Sequence, residues 1–278
     1  MNPSDHPISG ATSLVGVCGR GISYTLSPAM HNAAFQACGL DYVYVKFEVP
    51  TGSAEAAVQG IRALGLVGVN VTKPLKTEFL PFLDDLSDEA RRIGSVNTII
   101  SHDSKLRGES TDGQGLLKAL SKIDVEPAER HVLILGAGGA ARAACAMCKA
   151  YGARRITIAA RNRVRAEETA AVGEAAVVSM STQELEHAVR TADVIINAVP
   201  DDLEIDDTWF SSNQTVYDTR YDVTDTRLMI GARKQGAMVS NGIDMLLYQG
   251  AASFELWTGY EAPIDTMRTA LQSGLNRR

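Results

Sequence analysis

Residues 132–146, VLILGAGGAARAACA, place Gly136, Gly138 and Ala141 on the spacing GxGxxG/A, directly after an apolar strand and directly before a helix. Each small residue has a task in such a turn. Gly136 permits the tight bend, Gly138 lets the backbone approach a pyrophosphate, and a small side chain at 141 lets helix and strand pack closely. The free amides and the dipole of the helix start then favour phosphate. Further on, where an NAD-specific site carries an acidic residue, this chain has Ala160-Arg161-Asn162-Arg163. A guanidinium grips a 2′-phosphate with forked hydrogen bonds, and a carboxylate repels it, so the residues favour NADP over NAD. The plain alternative is a solvated loop holding Arg161, Arg163 and Arg165.

A second set of polar residues comes earlier, in YTLSPAMHN (24–32), NVTKPLK (70–76), GSVNT (94–98) and ESTDGQG (109–115). Taken singly, each has an ordinary explanation: Ser27-Pro28 as a helix cap, Asn70 and Thr72 as a strand end, Asp112-Gly113 as a turn. Taken together, loops offering Ser, Thr, Asn, Lys and Asp suit a small ligand with several hydroxyls and one carboxylate. Cys145 and Cys148 form a CxxC pair inside a run of small residues and helix formers, which reads as packing on one helical face. Cys18 and Cys38 complete the four cysteines, all read as buried thiols. The five histidines are scattered, no metal cluster emerges, and His31 reads as a structural hydrogen-bonding residue.

The elements that must position these groups follow from periodicity and turn signals. In the first part they are strand 14–19, helix 28–38, strand 41–49, helix 53–65 and strand 66–71. An interrupted helix over 78–94, broken at Pro81, a hairpin-like stretch from Ser95 and a helix over 114–123 follow. Alternating strands and helices imply a mostly parallel sheet covered on both faces. The polar segment DVEPAER (124–130) marks a boundary. From His131 the pattern is strand, glycine loop, helix, strand RITIAAR, helix VRAEETAAV, a short strand near EAAVVSM, helix TQELEHAVRTA, then strands DVIINAV and TVYDTRY. The expected organisation is α/β: a substrate domain over 1–123, a Rossmann-type dinucleotide domain over 124–243 with a cleft between them, and returning helices over 244–278.

Length and charge narrow the classes. With 278 residues the chain has room for about two domains of ordinary size. Its formal charge of −6, from 27 basic and 33 acidic side chains, argues against a general nucleic-acid binder, which would show a basic face. No run of about 18 apolar residues is present, and MNPSDHPISGATS lacks the basic-then-apolar layout of a signal peptide, so a cytoplasmic protein away from membranes is expected. An apolar strand edge in the first domain would suit a homodimer.

The order and spacing of SPAMHNAAF, GVNVTKPLK, IGSVNT, STDG, LGAGGAARA and NGIDMLLYQGAASFELWTG resemble the shikimate dehydrogenase family over nearly the whole chain, from about Gly16 to Leu271. The resemblance implies an N-terminal substrate domain, a Rossmann NADP domain, and reversible reduction of 3-dehydroshikimate to shikimate. It assigns Thr25 and Ser27 to the substrate carboxylate, Thr72 and Asn97 to ring hydroxyls, and Lys76 with Asp112 to the reacting oxygen. Tyr221 and Gln249 close the pocket. Gly136, Gly138, Gly139 and Ala140 take the pyrophosphate, Arg161 and Asn162 the 2′-phosphate, and Val199 and Gly242 the nicotinamide end. Departures from the family pattern are Thr25 in place of the first serine of Ser-x-Ser, Ser110 in Asn-Thr-Asp, Ala160 and Asn162 in Asn-Arg-Thr, and Val199-Pro200-Asp201-Asp202 in the nicotinamide loop. These bear on cofactor preference and exact substrate more than on reaction type.

Reduction of a ketone builds alkoxide character, so an acid must stand within hydrogen-bond reach of that oxygen. Lys76 can supply charge and proton, and Asp112 can hold the ammonium, the two acting as a coupled pair. Two rival readings are a quinate or dual quinate/shikimate dehydrogenase and a non-catalytic NADP-binding regulator. Retention of both Lys76 and Asp112 speaks against the regulator.

Overall fold

In the computed structural model, which describes residues 8–277, the chain divides into two compact units. One holds the chain up to Thr111 and again from Leu247; the other runs from Asp112 to Leu246. His6 and the first residues of the amino-terminal reading lie outside the described residues.

The first unit is built on strands β1 (Ser13–Gly19), β2 (Tyr42–Glu48), β3 (Gly68–Val71), β4 (Asp85–Leu86), β5 (Thr98–His102) and β6 (Lys105–Glu109) in the order β2-β1-β3-β5-β6-β4. β1 pairs in parallel with both β2 and β3, and its last five residues are buried, as expected of an apolar central strand. The sheet turns antiparallel from β3 to β5 and from β5 to β6. The expectation of a mostly parallel sheet therefore holds for the β2-β1-β3 half and again at the β6-β4 edge, while the hairpin makes the pairings on either side of β5 antiparallel. Asp103 and Ser104, both at positive φ, form its two-residue turn.

Helices α1 (Ser27–Ala37) and α2 (Ala54–Ala63) follow β1 and β2. The helix expected over 78–94 with a break at Pro81 is indeed broken there, into α3 (Leu75–Glu78), a 3₁₀ turn at Leu80–Phe82 that contains Pro81, and α4 (Asp88–Ile93), with the unexpected short strand β4 between them. The proline ends helical pairing, and Ser87 restarts it by accepting a hydrogen bond from the Ala90 amide at 3.2 Å. Helix α11 (Ile264–Leu275), last in the chain, packs against α1. Helix α10 (Ile243–Thr258) sends Trp257 Nε1 to the carbonyl of Ile99 on β5 at 3.0 Å.

The second unit opens with α5 (Asp112–Ser121), which packs on α6 (Gly139–Ala150). Its sheet is parallel throughout. The strands β7 (His131–Leu135), β8 (Arg155–Ala159), β9 (Ala176–Val178), β10 (Val194–Asn197), β11 (Thr215–Asp218) and β12 (Met238–Ser240) run in the order β12-β11-β10-β7-β8-β9. This is the doubly wound arrangement, whose order reverses between β7 and β10, the place where such sheets bind ligands. Helices α7 (Arg163–Gly173), α8 (Thr182–Thr191) and α9 (Arg227–Lys234) complete it. The sequence reading anticipated neither α9 nor β12. α9 is short and carries Gly231, and β12 is only three residues long.

Two further expectations are corrected. Cys18, Cys145 and Cys148 are buried, and burial pushes the Cys145 thiol up to about 11, but Cys38 is only half-buried. His31 is fully buried, and neither of its ring nitrogens has a hydrogen-bonding partner. It stacks on Tyr44 instead, with ring centroids 4.4 Å apart and planes 5° from parallel.

Candidate functional site

The polar residues singled out in the sequence fall into two sets, one on each unit. On the first unit, Thr25 and Ser27 meet at the start of α1, where the Thr25 hydroxyl donates to Ser27 Oγ at 3.3 Å and accepts the Ser27 amide at 3.3 Å. The helix is capped at Leu26 without any side-chain bond, so the Ser27 hydroxyl is not spent as a cap. With Pro28 lacking an N–H and the Ser27 amide already bonded to Thr25, the donors at this helix start are chiefly the two hydroxyls, at the positive end of an eleven-residue helix, a set suited to a carboxylate.

Thr72 and Lys76 leave the end of β3. The Thr72 amide donates to the Cys18 carbonyl at 2.9 Å and its own carbonyl accepts the Leu75 amide, which folds the chain sharply into α3 after a cis Lys73-Pro74 bond. Leu75 is fully buried and anchors that turn, so the half-buried Lys76 sits on a fixed base. The Lys76 carbonyl in turn accepts the Val96 amide at 2.9 Å, tying this loop to the one that carries Asn97.

Asn97 is buried, and its amide is oriented by a set of mutually consistent bonds. Oδ1 accepts the Thr111 amide at 2.7 Å, and Nδ2 donates to Thr111 Oγ1 at 2.8 Å and to Gln249 Oε1 at 3.1 Å. The structure thus brings Asn97 and Gln249 together, although 152 positions separate them in the chain.

On the second unit, Asp112 is buried as the first residue of α5. Gly136 ends β7 at φ +112°, and an added Cβ would lie 3.2 Å from the Ala198 carbonyl and 3.3 Å from a Val199 methyl. Glycine is required there by conformation and by space. At Gly138 an added Cβ would meet nothing within 4 Å, so the space above the start of α6 is open. Ala141, one turn in, is fully buried, as close packing of helix and strand demands. Gly139 and Ala140 begin the helix with free amides. These features fit a dinucleotide pyrophosphate.

Val199 is held from below. Its amide donates to Asn197 Oδ1 at 3.0 Å, and Asn197 Nδ2 donates to Asp218 Oδ2 at 2.9 Å. Asp218 is fully buried and also accepts from Thr226 Oγ1 at 2.8 Å and from the Arg220 amide at 3.0 Å. Gly242 donates its amide to the Arg220 carbonyl at 2.8 Å, next to the half-buried Tyr221. Arg161 and Asn162 are exposed after β8. Asn162 Oδ1 caps α7 by accepting the Arg165 amide at 3.0 Å, and Arg161 lies 3.7 Å from the carboxylate of Asp201. Asp202 pairs with Arg220 at 2.6 Å, and the side-chain bonds from Asp222, then from Asp202, hold the Arg220 guanidinium above its ordinary pKa despite partial burial.

Sequence reasoning missed the supporting residues. Asn70 and Thr111 stand inside recognised motifs without an assigned task. Asn197 opens the nicotinamide-loop motif, also without an assigned task, and Asp218 and Thr226 carry no signal in the sequence. Ser253 had one, since it lies four positions after Gln249 and therefore on the same helical face. Among the described residues, no group of three His, Cys, Asp or Glu side chains is placed to hold a metal ion, and no helix is long and apolar enough to cross a membrane.

Comparisons with known proteins agree with this arrangement. The model of the shikimate dehydrogenase substrate binding domain matches residues 17–99, that of shikimate / quinate 5-dehydrogenase residues 118–208, and that of the shikimate 5′-dehydrogenase C-terminal domain residues 242–272. The NADP(+) shikimate dehydrogenase of Moorella thermoacetica is 39% identical over 281 residues, covering 96% of this chain and 95% of that one. Among solved structures, the shikimate 5-dehydrogenase of Listeria monocytogenes with shikimate and NAD superposes with a TM-score of 0.85 at 34% identity, covering 96% and 99% of the two chains. The Thermus thermophilus enzyme with NADP(H) and shikimate gives 0.86 at 31% identity, covering 95% and 100%.

Proposed function

The chain belongs to the shikimate dehydrogenase family, and from that premise we propose that it reduces 3-dehydroshikimate to shikimate, reversibly, with NADP as cofactor. The observation that carries this reading is the substrate set of the first unit. Thr25 and Ser27 present two hydroxyls at a helix start, and Asn97 and Gln249 are locked to each other by an amide pair. A carboxylate at one end and ring hydroxyls at the other match these donors and acceptors.

In this reading Thr25 and Ser27 bind the carboxylate, and Thr72 and Asn97 orient the ring hydroxyls, with Gln249 and Tyr221 closing over the ring. NADPH, when bound, supplies the hydride. Gly136, Gly138, Gly139 and Ala140 hold the pyrophosphate, Val199 and Gly242 border the nicotinamide end, and Arg161 with Asn162 takes the 2′-phosphate. Lys76 stabilises the negative charge that grows on the reacting oxygen and delivers its proton, while Asp112 orients the ammonium and shares the substrate's hydroxyl network. A cytoplasmic setting and assembly as a homodimer belong to the same proposal, the latter measured by multi-angle light scattering.

Absorbance at 340 nm tests the reaction. With NADP and shikimate the absorbance should rise at once, and quinate in place of shikimate should give a much lower rate. No turnover on either would overturn the proposal in favour of a binding protein, and faster turnover on quinate would reassign the substrate.

A further inference from the structure

We propose that Ser253, on the third turn of α10, is a positioning residue for substrate, acting through Asn97 and Gln249. This rests on the reading above, in which those two side chains face the substrate ring. The Ser253 side chain is fully buried. Its hydroxyl meets four polar groups: it donates to the Gln249 carbonyl at 3.0 Å, accepts from Asn70 Nδ2 at 2.9 Å, lies 2.7 Å from Thr98 Oγ1, and is 3.4 Å from Thr111 Oγ1.

Each partner leads to the substrate side chains. Thr111 Oγ1 donates to the same Gln249 carbonyl at 3.1 Å, so two hydroxyls fix the backbone from which the Gln249 amide extends. Thr111 also accepts from Asn97 Nδ2, and Thr98 Oγ1 lies 3.3 Å from Asn97 Oδ1. Asn70 Nδ2 reaches the Asn97 carbonyl and Thr98 Oγ1, both at 3.2 Å. The direction of the Asn70 amide is set from the far side, where its Oδ1 accepts the Tyr44 phenol at 2.8 Å. Tyr44 is itself pinned by its stack on His31. The chain of fixed orientations therefore runs from His31 and Tyr44 through Asn70 to Ser253, and from there to both Asn97 and Gln249.

A buried donor left without its partner carries the full cost of desolvation, so removing the Ser253 hydroxyl releases Asn70 and Thr98 to seek new partners. In a connected buried network that disturbance travels to the next members. Ser253→Ala is a small change of volume that removes one oxygen.

The test is steady-state kinetics on the full chain, varying shikimate at saturating NADP and then the reverse. Ser253→Ala should raise the KM for shikimate about tenfold, leave the KM for NADP unchanged and keep kcat within threefold. Tyr44→Phe, which removes the phenol that orients the Asn70 amide while keeping the ring that packs on His31 and on Trp257 of α10, should raise the shikimate KM in the same direction. It also serves if Ser253→Ala does not fold. The double variant should be no worse than the poorer single one, because both act through Asn70. A lowered melting temperature with an unchanged shikimate KM in Ser253→Ala and Tyr44→Phe would show a structural role only and overturn the proposal. Asn97→Ala separates the two levels. If it leaves the shikimate KM unchanged, the reading of the site falls and this proposal with it. If it raises the KM while Ser253→Ala does not, this proposal falls alone.

Discussion

Lys76 and Arg161 are both cations, yet they differ in what they must do. In the proposed mechanism Lys76 meets charge that grows only in the transition state, so Lys76→Ala should lower kcat by about 10²- to 10⁴-fold and leave NADPH binding intact. Activity within threefold of the parent would remove it from the chemistry. In the same proposal Arg161 meets a ground-state phosphate. Arg161→Ala should raise the KM for NADPH by roughly 10- to 100-fold, the worth of a charge-assisted hydrogen bond, with little effect on NADH. An equal change for both cofactors would mean that the loop does not read the 2′-phosphate. His31 gives a pH signature of a different kind. Burial holds its imidazole down to about 3, so the folded protein keeps it neutral while the unfolded chain titrates near 6.5. Unfolding therefore takes up a proton in that window. Stability should be complete above pH 6.5 and fall on acidification by up to about 1.4 kcal/mol per pH unit per such group, with His131, also lowered by burial, adding to the slope. Urea unfolding between pH 7.5 and 5.5 keeps clear of the carboxylates, and His31→Phe, which retains the stack, should flatten the slope by about one proton. An unchanged slope would mean that His31 titrates normally in the fold.

At the scale of elements, what was legible in the sequence and what was not divides along physical lines. The strands and helices around Gly136 were readable because strand, turn and helix each leave a local mark: an apolar run, a small residue at +112° and a run of helix formers. Within 78–94 the break at Pro81 is legible because it is local, while the strand Asp85–Leu86 is not, because its pairing with β6 is decided by partners more than twenty positions away. The candidate site shows the same division. Motif residues such as Thr25, Lys76 and Asn97 stood out, whereas Asn70 and Thr111 have no visible task, and the i,i+4 spacing of Ser253 from Gln249 no visible meaning, until β3, β5 and α10 are brought together. That docking itself rests on a bare backbone. A Cβ at Gly68 on β3 would press into the Trp257 indole and the Ile99 carbonyl, the two groups joined by the hydrogen bond that seats α10. Gly68→Ala should therefore destabilise the protein by about 1–3 kcal/mol, as overpacking does, and raise the shikimate KM through displaced Gln249. Chemical denaturation beside the kinetic assay measures both, and parental stability would show that the sheet yields without cost.

At the scale of the whole molecule, the first unit is discontinuous in sequence and the second is not. The stretch from Asp112 to Leu246 carries its own parallel sheet and its own core, including Leu133, Ile195 and Val216, and it holds every residue assigned to the dinucleotide. Tyr217 accepts the Met245 amide through its hydroxyl at 3.3 Å, which ties down the end of that stretch. The first unit, by contrast, takes Phe254, Trp257, Met267 and Leu271 from the far end of the chain, all buried, and takes from Ser253 the hydroxyl that joins Asn70 to Thr98. Burial of side chains of this kind contributes about 1.5–3 kcal/mol each, a large part of the net stability of a domain. A fragment spanning 112–246 should therefore fold alone, with a cooperative thermal transition and measurable NADP binding by calorimetry. Truncation after Leu246 in the full chain should leave NADP binding in place while the first unit loses protection from proteolysis and exposes dye-binding apolar surface. Loss of NADP binding by the isolated fragment would show that the second unit depends on the first for its cofactor site, and a protease-resistant first unit in the truncated chain would show that α10 and α11 add little to its core.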